Sequence, residues 1–157
     1  MKLFSPAFTH NGAIPTQYTC EGRDVSPPLG WSDVPQGTRS LALVIEDPDA
    51  PDPSAPTTIW VHWILYNLPP ESVELPLDVQ VLPVGTREGL NDWQRTGYRG
   101  PCPPSGRHRY FHRLYALDAV LPDLRRPTRA KLEAAMHRHV LAEAALVGTY
   151  QKGKHHR

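Results

Sequence analysis

The side chains best suited to chemistry in this chain are Asp47, His62, His108 and Tyr110, each within or at the end of an apolar run. Two imidazoles and a phenol can donate hydrogen bonds, and donors about 3 Å from an oxygen suit a phosphate or a carboxylate. A carboxylate among them can accept from an ammonium, or hold one ring nitrogen of a histidine and so orient it. In "GPCPPSGRHRYFHRLYALD", residues 100–118, a Pro/Gly loop runs straight into the segment carrying His108 and Tyr110. Gly100 permits close backbone approach, and a turn N–H is an anion donor. Prolines on both sides of Cys102 stiffen that wall, so little entropy is lost when a guest binds. The chemistry that fits is capture of a small anion.

Other readings compete. A single histidine in an apolar strand is commonly a satisfied core residue, and "DPDAP" alone is an ordinary turn. Asp47, His62 and His108 lack the His-x-His or Cys-x-x-Cys spacing of a metal site, so no metal is expected. There is no Gly-x-Ser-x-Gly elbow and no glycine-rich phosphate loop. Ser105 beside His108 is most simply part of a turn. An enzyme, a hydrolase or lyase, would use His62 or His108 as general base with Asp47 as its orienter. It would lack an evident nucleophile. A third reading is an inhibitor that presents the proline loop 48–56 to a kinase or protease.

These residues need elements to position them. The chain of 157 residues fits one domain, expected over residues 1–152 with a frayed tail at 153–157. Its formal charge of +1 provides no global field toward nucleic acid or an anionic membrane. No apolar run has the length of a signal peptide or a membrane span, so a cytoplasmic location without membrane insertion is expected. Eighteen prolines beside short apolar runs predict an all-β domain with rigid connections. Strong strands are predicted at 40–47, 58–69 and 108–118, and weaker ones at 2–10 and 79–84. In "TRAKLEAAMHRHVLAEA", Leu132, Ala135, Met136, Val140 and Leu141 recur at the helical period, with Thr128 as N-cap. "LVGTYQK" then reads as a last strand. The expected fold is mostly β, an antiparallel sandwich with one C-terminal helix followed by that strand.

Strand alternation groups the candidates. Trp60, His62 and Ile64 should share one face, as should His108, Tyr110 and His112. Phe111, Tyr115 and Leu117 should take the opposite face. If the two strands flank one mouth, His62, His108 and Tyr110 converge, with Asp47 at the lip.

Longer motifs narrow the reading. "DPDAP", then "WVHWILYNLP", then "GYRGPCPPSGRHRYFHRLYALD" resemble the phosphatidylethanolamine-binding protein family, also called Raf-kinase-inhibitor-like proteins. "IPTQYTCEGRDVSPPLGW" and "GLNDWQRTGYRG" resemble its compact prokaryotic branch, and the likeness runs from about Ile14 to about Tyr150. The resemblance implies a Greek-key β-sandwich with a small pocket for phosphate, acetate or phosphoethanolamine-like groups. By motif, its ligand-binding residues are Asp47, Asp49, Trp60, His62, Gly100, Pro101, His108 and Tyr110. It further implies a binding module without a cofactor, with a regulatory or inhibitory role and homodimers in the compact branch. Kinase restraint belongs to longer relatives and is an analogy only. Cys20 and Cys102 both fall within these motifs. They are either two buried thiols or a bridge across the pocket rim. A bridge would close 82 residues and contribute roughly 4 kcal/mol, although a reducing cytoplasm argues against one. Unperturbed histidines would titrate near pH 6 to 7, so anion affinity should rise as the pH falls.

Overall fold

The computed structural model describes residues 1–153. In chain order the elements are β1 (Lys2–Phe4), β2 (Gly12–Ala13), a short 3-10 turn (Thr16–Tyr18), β3 (Leu29–Ser32), β4 (Ser40–Ala50), β5 (Thr58–Leu68), β6 (Glu74–Leu75), β7 (Arg87–Glu88), β8 (Arg107–Leu117), α1 (Arg129–Met136) and β9 (Val140–Gln151). Six strands form one sheet in the order β2-β9-β8-β4-β5-β7, and three form another in the order β1-β3-β6. Pairing is antiparallel except between β2 and β9.

β4 and β5 are nearly continuous apolar runs because both faces of the large sheet are covered. On one face Leu43, Ile45, Trp63, Leu65 and Leu114 meet Leu3, Leu29, Trp31 and Leu75 of the small sheet. On the other, Ala42, Val44, Ile64 and Tyr66 meet Leu132 and Met136 of α1. Buried Glu46 ties the helix down, accepting from Arg129 Nε at 2.6 Å and from Arg113 Nε at 3.2 Å. The predicted mostly-β sandwich with one helix and a last strand is therefore the architecture found.

Several boundaries differ from expectation. Of the strand predicted at 2–10, only Lys2–Phe4 pairs, and residues 79–84 form no strand. β4 continues past Asp47 to Ala50, into what reads as a turn. Thr128 does cap α1, its side chain accepting from the Lys131 N–H, but the helix stops at Met136. Val140 and Leu141, counted in the helical period, begin β9. The reason is the antiparallel ladder with β8, which runs from Leu117↔Val140 to Arg107↔Gln151 with one register shift, between Ala116 and Leu117. A full row of strand hydrogen bonds outweighs one further helical turn. Of the predicted tail, Gly153 donates to Glu21 Oε1 at 3.3 Å, and 154–157 lie outside the described residues.

Candidate functional site

β4 lies between β5 and β8, so it delivers Asp47 between the side chains of its neighbours. On β8, strict alternation turns His108, Tyr110 and His112 to one buried face. On β5 the alternation breaks. Ile45 pairs with Trp63 and Glu46 with Val61, which leaves His62 as an extra residue, a β-bulge. A bulge re-aims the side chain it carries. His62 therefore shares the pocket face with Trp60, whereas Ile64, expected beside them, packs under α1 on the opposite face.

The result is a cavity of about 460 Å³ lined by Asp47, Trp60, His62, Trp93, His108 and Tyr110. Ala50, Pro51, Thr57, Thr58, Cys102 and Pro104 complete the wall. His62 stands edge-on to Tyr110, with ring centroids 5.3 Å apart, and edge-on to Trp93 at 5.2 Å. His108 stacks beside Tyr110 at 6.3 Å.

Each polar group has a defined role. Asp47 Oδ2 lies 2.6 Å from His108 Nδ1, and its Oδ1 accepts the Asp49 N–H at 2.7 Å. Burial raises the Asp47 carboxyl above its ordinary range, partly offset by the hydrogen bond to His108. His108 Nε2 donates to the Ser105 carbonyl at 2.8 Å. Both nitrogens of His108 are thus committed, and it is not the free donor the sequence suggested. His62 Nδ1 donates to the Arg99 carbonyl at 2.7 Å. Burial pushes this ring down to about 4, against the opposing pull of the Arg99 and Gly100 carbonyls. It is neutral at neutral pH. Tyr110 is pushed well above the ordinary phenol range by burial and then by the Asp47 charge. Its hydroxyl is buried and makes no well-formed hydrogen bond among the described residues, although the Asp47 carboxylate lies close enough to act on it.

Three of the predicted ligand residues support the pocket from outside its lining. Asp49 takes a forked pair of bonds from Arg109, Nε at 3.0 Å and Nη2 at 2.8 Å, and accepts the Arg109 N–H at 2.8 Å. These bonds hold its carboxyl below the usual range. The Gly100 N–H donates to Asp24 Oδ1 at 2.8 Å, so it is not presented to a guest. A Cβ on Gly100 would lie 2.0 Å from the Tyr18 carbonyl oxygen, which is the close approach that requires glycine. The Pro101 carbonyl accepts the Cys20 N–H at 3.1 Å. Cys20 and Cys102 form a disulfide, so the bridged alternative is the one realised. Among the described residues no cluster of three or more His, Cys, Asp or Glu is arranged to hold a metal ion.

Sequence reading missed Trp93 and the carbonyls of Arg99 and Ser105. Trp93 sits in a turn built by Asn91, whose Oδ1 accepts the Trp93 N–H at 2.9 Å. An aromatic directly after Asn-Asp was the available signal.

Comparison with known proteins places this geometry. The family described as "Phosphatidylethanolamine-binding protein" matches residues 4–151. A UPF0098 protein of Methanothermobacter thermautotrophicus is 48% identical over 98% of this chain and 100% of its own. Among solved structures, the phosphatidylethanolamine-binding protein homolog CT736 of Chlamydia trachomatis superposes with a TM-score of 0.89 at 43% identity, covering 97% of each chain. E. coli YbcL, described as a new member of the mammalian PEBP family, superposes with a TM-score of 0.86 at 30% identity, covering 97% of this chain and 98% of its own.

Proposed function

The chain belongs to the phosphatidylethanolamine-binding protein family, and from that premise we propose that its cavity binds one small phosphate-bearing group of a metabolite, lipid head group or modified side chain. The observation that carries this reading is the Tyr110 hydroxyl, a buried donor without a well-formed hydrogen bond among the described residues, on a side chain that lines a preformed cavity. An unpaired buried donor costs free energy until something accepts from it. An oxyanion supplies that acceptor. Trp60 and Trp93 provide apolar walls for whatever the phosphate is attached to.

The alternative of a hydrolase or lyase has less support. His108 has no nitrogen left to act as a base, and the lining offers neither a serine nor a free thiol. The test is calorimetric titration with inorganic phosphate and phosphoethanolamine. Saturable binding is expected, weakened by about 1 kcal/mol in Tyr110→Phe. Absence of saturable binding for both ligands defeats the reading. Turnover of a phosphoester panel that vanishes in His62→Ala would favour the enzyme.

A further inference from the structure

The hydrogen-bonding polarity of the cavity goes one step beyond the choice of ligand. His62 Nδ1 faces the Arg99 carbonyl, which can only accept, so the proton of the neutral ring sits on Nδ1. Nε2 is then a lone pair, on the ring edge directed away from that carbonyl, and among the described residues no well-formed hydrogen bond engages it. A bare oxyanion placed against it would meet lone pair with lone pair. The neighbouring ring has the opposite character, because Tyr110 offers an O–H that makes no well-formed hydrogen bond among the described residues. With centroids 5.3 Å apart, these two rings bring one acceptor and one donor to the same cavity.

The charge balance points the same way. The groups facing His62 are His108, Tyr110 and His112 from β8 and Arg99 from the loop before Gly100, with Asp47 from β4 lining the same cavity. Asp47 and His108 are paired, with both His108 nitrogens on acceptors, so together they add no net charge. Burial keeps His112 uncharged, Asp49 is matched by Arg109, and among the described residues no Lys or Arg side chain lines the cavity. Arg99 stacks its guanidinium over Trp93, 4.8 Å from the ring centre, outside the lining. A doubly charged guest would enter a largely apolar cavity without a counter-ion, at a large desolvation cost.

We propose that the cavity selects its guest in a protonated, singly charged form, a P–OH donating to His62 Nε2 while a P–O⁻ accepts from the Tyr110 hydroxyl. The preferred class is a phosphate monoester monoanion, and an anion of equal shape and charge with no proton is refused. This rests on the phosphate-site reading above.

Methyl phosphate and methyl sulfate test it, since at about pH 5.5 both are monoanions of the same shape and only the phosphate carries a proton, its last ionisation lying near pH 6. Calorimetry should give methyl phosphate at least about a tenfold tighter Kd than methyl sulfate there, the cost of facing a buried acceptor with no donor. Methyl phosphate should weaken by at least about tenfold on going to about pH 8, where it has lost that proton. Equal binding of the two esters, or methyl phosphate affinity unchanged between the two pH values, overturns the selection while leaving the phosphate site standing. If neither ester binds at either pH, it is the phosphate site itself that fails. Nitrogen NMR of the His62 ring provides a second readout in the unmodified protein. In the methyl phosphate complex it should remain a neutral Nδ1–H imidazole, and an imidazolium there overturns the assignment.

Discussion

His62 and His112 are buried imidazoles whose burial sets a measurable property of the folded chain. Burial lowers both from 6.5 to about 4, with His112 Nδ1 held between the carbonyls of Tyr110 and Leu146. Below 6.5 the unfolded chain takes up protons that the folded chain refuses. Folding stability is therefore full above about 6.5 and falls as the pH drops toward about 4, by roughly 3 kcal/mol per ring at most. Asp47, raised by burial, has the opposite sign but is one group against two. Urea unfolding at a series of pH values checks this, and a flat profile across that window contradicts it. The same rings cancel the simpler expectation that histidine titration near neutrality governs anion affinity. Tyr110→Phe separates stability from binding. Its hydroxyl makes no well-formed hydrogen bond among the described residues, so the thermal midpoint should hold or rise while phosphate binding weakens.

Among the elements, the three strands that build the site were legible because their apolar runs are long and their stops are prolines. Alternation grouped Trp60 with His62 and His108 with Tyr110, to converge with Asp47 at the lip if the two strands flank one mouth, and all five line one cavity. What alternation does not encode is the bulge at His62, which depends on how β4 and β5 slip past one another and which moves Ile64 to the other face. The helix boundary was hidden for a related reason. Alanine and leucine near 140 satisfy a helical period equally well, and only the β8 ladder decides against it. The tethering carbonyls escaped because backbone acceptors have no residue type. The packing of α1 yields a prediction at this scale. Glu46→Ala removes the buried acceptor of Arg113 and Arg129, both partly exposed, and should lower stability by about 2 kcal/mol in denaturant unfolding. A loss below a few tenths would show the pairs to be idle.

For the whole molecule, the segment near residue 20 and the loop near residue 100 behave as one body. Tyr98 Oη donates to the Tyr18 carbonyl at 2.6 Å, Gly100 N–H reaches Asp24 at 2.8 Å, and the Cys20–Cys102 disulfide closes the set. Alkylation under denaturing conditions should find no free thiol until a reductant is added. Reduction should then cost roughly 4 kcal/mol of stability, the chain-entropy value for a closed stretch of 82 residues. Two freely alkylating thiols in the untreated protein would contradict the bridge. Gly100→Ala should be more damaging than an ordinary surface change, because its methyl would collide with the Tyr18 carbonyl.

The disulfide also governs what a protease would leave behind. The stretch between β4 and β5 is the exposed proline loop, and Cys20 lies before it while Cys102 lies after it. A single cut there would sever the backbone without freeing a fragment. The nicked protein should migrate as one species on a non-reducing gel and separate into two only after thiol treatment.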